Sequence, residues 1–225
     1  MIRPLSSPTL YVVDPGTDIP EVECFNSIAL NSPLTCSYHL PALFEDASLD
    51  DPYQGRCAGV LVLGSSASAL DEAPWQKKLE AWLHKKIEQQ VPVLGICYGH
   101  QLLAHMFGGR LGSVAQKHTG ARVCILEADS RLERSRRKGP LVVSHREFVV
   151  ECPSFFETWG HSDLYEHEAI RGKTAPVWGI QPHPEAVPIF VSRGGFTLPD
   201  EAAYAFGYDF VRSFLQFVHK RSLTL

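Results

Sequence analysis

The sequence predicts an α/β fold, a three-layer sandwich with a mostly parallel central sheet and helices on both faces. Two observations carry that expectation. The runs 9–14, 57–63 and 91–96 are almost uninterruptedly apolar, as strands covered on both faces must be. Helical patterns then alternate with them, the signature of crossover connections in a parallel sheet. The 225 residues suit one such unit, and no internal repeat or linker composition divides them, so residues 1–225 are read as a single domain.

The first strand, Thr9-Leu10-Tyr11-Val12-Val13-Asp14, is ended by Pro15-Gly16. Residues 15–55 are rich in Pro, Ser and Asp, and their pattern places no element. A second strand at 57–63 runs into the small-residue loop Gly64-Ser65-Ser66-Ala67-Ser68. A helix is predicted over 74–90, with Pro74 in its first turn. Trp75, Leu79, Trp82, Leu83 and Ile87 form its apolar stripe, with the lysines largely outside it. The third strand, 91–96, leads into a helix over 98–107 that Gly108-Gly109 stops. After about Ala121 short strands dominate, near 121–127, 141–150 and 176–181, and are expected to add antiparallel pairs. A last helix over 200–220 carries Phe206, Phe210, Phe214 and Phe217 on one side, a core stripe.

Composition excludes several roles. A formal net charge of -4 argues against nucleic acid, whose phosphates demand clustered Lys and Arg. No apolar run approaches the roughly 20 residues that span a bilayer. Residues 1–8 hold one charge and no apolar core of a signal peptide, so a cytoplasmic location without membrane contact is expected. Six scattered cysteines without a C-x-x-C pair make neither a disulfide framework nor a zinc site. Cys97, His100 and His105 lie near one helix but bring no carboxylate and no second ligand pair. No metal or organic cofactor is implied. Five basic residues within 131–138 read as a solvated loop between strands rather than a phosphate or partner site. His161 and His167 have no partner motif and receive no role.

Chemistry concentrates in two places. Gly95-Ile96-Cys97-Tyr98-Gly99 sits at a strand-to-helix junction and matches the G-x-S-x-G elbow with Cys for Ser. Such a turn lifts the central side chain above the carboxyl end of the sheet, where open α/β folds bind ligands. The helix N-terminus behind it favours a thiolate, and the Tyr98 N–H is placed to stabilise an oxyanion. An inert core cysteine is the alternative, and the two glycines at their offsets disfavour it. A cysteine nucleophile needs a histidine base and a third group to orient it. Among ten histidines, His183 stands out in Gly179-Ile180-Gln181-Pro182-His183-Pro184-Glu185. Flanking prolines hold it extended, and in an extended segment Glu185 shares the imidazole's side. Taken alone, His-Pro-Glu serves a structural loop equally well.

Together these segments resemble class I glutamine amidotransferases. Val93 to Ala104, read through Cys97 and Gln101, is similar to that family's nucleophile motif, and Trp178-Gly179-Ile180-Gln181-Pro182-His183-Pro184-Glu185 to its His/Glu motif. Gly108-Gly109 and the segment 163–170 have counterparts, so the resemblance spans roughly residues 57 to 190. It is strongest to stand-alone members similar to the amidotransferase domain of GMP synthase, whose acidic-Pro-Trp helix start Leu70-Asp71-Glu72-Ala73-Pro74-Trp75 resembles. The resemblance implies a flavodoxin-like, amidotransferase-like fold and a Cys97, His183, Glu185 triad. In such a triad Cys97 forms a γ-glutamyl thioester with glutamine and water releases glutamate. It implies oxyanion donors at Ser65 and Tyr98. It further implies substrate binding by Gly64, Gln101, Ser144, His145, Arg146 and Glu147.

Two segments depart from the family's pattern. Gly64-Ser65-Ser66 stands where Gly-Gly-Pro or Gly-Ser-Pro is common, and Ser144-His145-Arg146-Glu147 where Ser-His-Gly-Asp is common. The leading expectation is a glutaminase that supplies ammonia to a separate synthetase chain, since no synthetase domain accompanies it. Arg146 motivates a second, a peptidase acting on γ-glutamyl conjugates. A third is a catalytically silent regulatory subunit, which the complete Cys-His-Glu set argues against.

Overall fold

The computed structural model describes residues 7–44, 48–50 and 55–224. Most of the amino-terminal run read above as lacking a signal peptide, and both outer ends of the 1–225 unit, lie outside the described residues. The elements are β1 (Pro8–Val13), α1 (Val22–Asn31), β2 (Thr35–His39), α2 (Pro41–Phe44), β3 (Arg56–Val62), α3 (Pro74–Glu88), β4 (Val93–Ile96) and α4 (Tyr98–Met106). There follow β5 (Arg110–Leu126), β6 (Arg137–Glu151), β7 (Phe156–His161), β8 (Ala169–Gly172), β9 (Val177–Ile180), α5 (Pro188–Arg193) and α6 (Ala202–Ser222). The strands make one sheet in the order β2-β1-β3-β4-β9-β8-β7-β5-β6.

This α/β sheet is mixed. The β2-β1-β3-β4-β9 wing is parallel, whereas the pairings among β9, β8, β7, β5 and β6 are antiparallel. The antiparallel part thus equals the parallel part, and the expectation of a mostly parallel sheet is corrected. The physical reason is connectivity. No helix lies between β5 and β8, and without a crossover a chain returns antiparallel to itself. β5 and β6 are also long, at 17 and 15 residues, where short strands were expected.

Alternation along the strands sorts the core. Leu10, Val12, Leu61, Leu94, Ile96, Trp178 and Ile180 pack with Ile28 of α1 and Phe210, Phe214 and Val218 of α6. Their neighbours Tyr11, Val13, Val60, Val62, Val93 and Val177 pack instead with Leu79 and Leu83 of α3 and Leu102 and Leu103 of α4. The unplaced stretch 15–55 holds α1 and β2. In α1 only Cys24 and Ile28 are buried, and β2 buries Ser37 and His39 rather than apolar residues, so neither shows a clear period.

The basic run is a solvated loop only in part: Arg136, Arg137 and Lys138 are exposed, whereas Arg131 and Arg134 are held against the protein. Arg131 donates to the carbonyls of Gly172 at 3.1 Å and Ala175 at 3.0 Å, with its guanidinium 4.7 Å from the Trp178 ring centre. Arg134 is buried and donates to Asp209 O at 2.9 Å and Ser213 Oγ at 2.8 Å. The run therefore ties α6 to the sheet. α6 also reaches the loop after β9, where a Cβ on Gly207 would lie 2.7 Å from both Cα and O of Pro184. A methyl group there must displace backbone. Gly207→Ala should cost about 1–3 kcal/mol and lower the thermal midpoint by roughly 2–10 °C. An unchanged midpoint would show that α6 is free to move away.

Candidate active site

The elbow forms because β4 and α4 meet with almost no connecting residue. Cys97 stands between them at φ 50° and ψ −100°, a region costly for a side-chain-bearing residue. Its flanking glycines are demanded by close approach. A Cβ on Gly99 would lie 2.6 Å from Val62 O, and one on Gly95 would collide with the Gly99 carbonyl. The turn is fastened to the next strand by Cys97 N–H donating to Ile180 O at 2.9 Å. Tyr98 begins α4, so its N–H has no acceptor within the helix.

β9 runs parallel to β4 in register, pairing Gly95 with Gly179 and Ile96 with Ile180. Residues 97 and 181 thus emerge side by side at the carboxyl edge of the sheet. Gln181 Nε2 donates to Cys97 Sγ at 3.6 Å. Two residues on, His183 N–H donates to Val142 O of β6 at 2.7 Å, which fixes the loop from its other side. His183 Nδ1 and Glu185 Oε1 are 2.9 Å apart, and both side chains are buried. With Nδ1 held by the carboxylate, Nε2 is buried without a hydrogen-bond partner among the described residues. Burial by itself would depress this imidazole. The Cys97 sulfur first and the Glu185 carboxylate second outweigh it and hold the ring raised, at about 10. The hydrogen bond to the sulfur itself comes from Gln181. Phe190 covers the ring, with centres 4.6 Å apart.

The loop after β3 completes the lip. A Cβ on Gly64 would sit 2.7 Å from His183 Cε1 and 3.6 Å from Cys97 Cβ, so only glycine lets these two side chains and this loop converge. Ser65 Oγ donates to Pro15 O at 2.7 Å and accepts from Ala67 N–H at 3.0 Å. The buried Asp14 carboxylate holds the 15–21 loop in turn. It accepts from Gly16 N–H at 2.8 Å, Glu21 N–H at 2.6 Å and the Tyr38 hydroxyl.

Ser144, His145, Arg146 and Glu147 lie in β6 and, with Gln101, Cys97, Lys117 and residues 65–68, line a cavity of about 470 Å³. Their roles divide. Arg146 is exposed at its wall. The Glu147 carboxylate accepts from Ser68 Oγ at 2.8 and 2.9 Å, tying β6 to the loop after β3. His145 is a buried link rather than a titrating group, its ring pushed down to about 3 by burial and by Arg122. Arg122 can only donate, and its Nη1 lies 3.0 Å from His145 Nε2. The proton of His145 is therefore on Nδ1, which donates to Glu147 O at 3.0 Å. Gln101 Nε2 donates to the same carbonyl at 2.7 Å and to Gln181 Oε1 at 3.2 Å.

A continuous set of hydrogen bonds thus leads from Arg122 to the sulfur. Arg122 is itself paired with Glu168, which is fully buried, at 2.9 Å. Sequence reasoning missed Arg122, Glu168, Lys117 and Asp14, and gave Gln181 no separate role. For Arg122, Glu168 and Asp14 the one signal was a charged residue inside or beside an apolar strand, and Lys117 had none. His100, part of the metal alternative, is fully buried against Gly179 and kept neutral, its ring pushed to about 3 by burial. Among the described residues no three His, Cys, Asp or Glu side chains converge on a point that suits a metal.

Fold and site together define a thiol-bearing α/β protein of the amidotransferase class. The family profile described as glutamine amidotransferase class-I matches residues 42–189, and the chain belongs to that family. It is 32% identical over 117 residues to the glutamine-hydrolyzing GMP synthase subunit of Methanocaldococcus jannaschii, covering 52% of this chain and 62% of that one. It is 40% identical over 103 residues to the corresponding protein of Methanopyrus kandleri, covering 45% and 55%. The matched region therefore spans less than two thirds of these relatives. A solved structure from Thermoplasma acidophilum, described as that of a GMP synthase subunit, has the same fold, with a TM-score of 0.71 at 18% identity over 95% of both chains.

Two outcomes follow from the geometry. Glu168→Ala leaves the Arg122 cation buried and unpaired and should cost about 3–5 kcal/mol of unfolding free energy in denaturant titration. A loss below about 1 kcal/mol would show that the pair is not a support. The second concerns pH. The folded-state value of His183 lies above the unfolded one, so its protonated form stabilises the fold fully below about pH 6.5, and that contribution fades as pH rises through about 10. In Cys97→Ala, burial should dominate, and an NMR titration should find His183 well below its wild-type value. An unshifted titration would separate the ring from the sulfur.

Proposed function

We propose that this amidotransferase hydrolyses the side-chain amide of glutamine to glutamate and ammonia through a γ-glutamyl thioester on Cys97. The observation that carries the reading is geometric: an elbow cysteine and a buried imidazole converge on Gly64, and Glu185 holds the ring's Nδ1 at 2.9 Å. A ring that keeps its proton at neutral pH faces the sulfur as an imidazolium and so favours the thiolate. The thiolate attacks the amide carbon, and the oxyanion meets the Tyr98 N–H and an N–H of the Gly64-Ser65 loop. His183 gives its proton to the departing ammonia, then takes one from the water that cleaves the thioester. Glu185 orients the ring throughout. Gln101 and the segment 144–147 bind the amino and carboxylate ends of the glutamyl group.

The acceptor of ammonia is proposed to be a separate synthetase chain. That is supported by the relatives named as subunits of a GMP synthase. A cytoplasmic location belongs to the same proposal. Among the described residues no helix is long and apolar enough to cross a membrane.

Glutamate release from glutamine by the purified chain tests the half-reaction. Cys97→Ala should lower kcat by at least about 10³-fold with the fold intact, and Glu185→Ala should cost less than His183→Ala. Full rates in both the histidine and glutamate variants would remove the triad. Absence of turnover in the wild type, with Cys97 inert to a glutamine-derived electrophile, would favour a silent regulatory role.

A further inference from the structure

Cys97 faces two cavities. Beside the one that holds the glutamyl-binding residues lies a second, of about 270 Å³, bounded by residues 16–19, Glu21, His183, Glu185, Phe190 and Arg193. The two share Ser65, Ser66, Cys97, Lys117 and Ser144, so they meet at the sulfur. The imidazole borders only the second. In any amide attacked by Cys97 and protonated by His183, the nitrogen must point to the histidine. Whatever that nitrogen carries therefore enters the second cavity. Ammonia needs roughly the 30 Å³ of a water molecule, and the space here is several times larger.

The walls name the kind of substituent. Ile19 and Phe190 supply apolar surface. Arg193 is already engaged by two carboxylates, with Nη1 3.1 Å from Glu21 and Nη2 2.5 Å from Glu23, so it has no charge left for a ligand, and the exposed Asp18 adds no cation to the wall. Lys117 has no ion-pair partner among the described residues and is exposed where the cavities join. Its position comes from an irregularity in the β5–β6 ladder. Pairing jumps from Ser113 with Glu147 to His118 with His145, so residues 114–117 bulge out opposite Arg146 alone. The bulge brings two cations to one site. Arg146 lies in the glutamyl cavity and Lys117 at the junction. Free glutamine has a single carboxylate to offer them.

We infer that the site accepts γ-glutamyl dipeptides, with the departing amino acid in the second cavity and its carboxylate on Lys117. This rests on the thioester chemistry proposed above and extends its substrate class. The Cys97–carbon bond forms as the carbon–nitrogen bond breaks, and the His183 proton leaves on the amino group of the released amino acid. Water then gives a proton to His183 and its hydroxyl to the acyl carbon, yielding glutamate and the thiolate. The sum is one dipeptide and one water giving two amino acids.

The test measures glutamate release by the full chain from glutamine, from γ-glutamyl-alanine and from γ-glutamylethylamide, whose departing amine has no carboxylate. The expected kcat/KM for the dipeptide exceeds that for the ethylamide at least about tenfold, and Lys117→Gln removes most of that ratio. Hydrolysis of glutamine with the dipeptide about 100-fold poorer would overturn the inference and leave the glutaminase reading standing. A preference for the ethylamide, or a ratio untouched by Lys117→Gln, would overturn the carboxylate contact. No glutamate from any of the three would sink the chemistry beneath both.

Discussion

Parallel pairing of β4 with β9 is the constraint on which the site depends. It brings Cys97 and Gln181 out of neighbouring strands at one level, and the Cys97 N–H to Ile180 O bond at 2.9 Å continues the ladder by one step. The same edge carries Gly64 after β3 and Asp14 after β1, so four consecutive neighbours in the sheet furnish one lip. The antiparallel wing is equally required. β6 anchors His183 through Val142 and supplies residues 144–147. A sheet parallel throughout would present the nucleophile with nothing facing it. The mixed topology is thus the means by which a thiol, an imidazole and a binding wall come to one edge of the sheet, with the thiol shared between two adjoining cavities.

Buried polarity then orders that cavity. Arg122 can only donate, so each partner's role is settled in turn: His145 accepts and then donates, Glu147 O accepts twice, and Gln101 passes the sequence to Gln181 and the sulfur. Such a network stabilises only when it is complete, because an unpaired buried charge is costly. Glu168 supplies the counter-charge at the far end through Oε1, while its Oε2 is buried without a hydrogen-bond partner among the described residues. Two histidines within this region are consequently quite different groups. His145 faces a cation and is held neutral, while His183 faces a sulfur and a carboxylate and keeps its proton.

Much of the parallel wing was legible in the sequence, because its strands are apolar on both faces and leave long unbroken runs. The elbow was legible for a related reason. Gly95 and Gly99 are imposed by backbone contacts, and such contacts leave a fixed spacing in the chain. The His183–Glu185 contact was expected from an extended segment, but a turn closed by Ala186 N–H donating to His183 O at 3.3 Å is what folds Glu185 back to the ring. Less could be read where burial is achieved by polar or charged groups. β2 hides Ser37 and His39, the run 131–138 is half packed under α6, and Arg122 and Glu168 meet across 46 residues. β7 and β8 went unnoticed because their short segments show no sustained alternation. The bulge that places Lys117 depends on a pairing register that no local pattern encodes.

Peptide mapping after treatment with a chloroketone analogue of glutamine is the most direct measurement of whether Cys97 is the nucleophile that His183 activates. Alkylation should occur at Cys97 alone among the six cysteines, should be slowed by added glutamine, and should fall sharply in His183→Ala. Modification spread over several cysteines, without protection by glutamine and without dependence on His183, would contradict it.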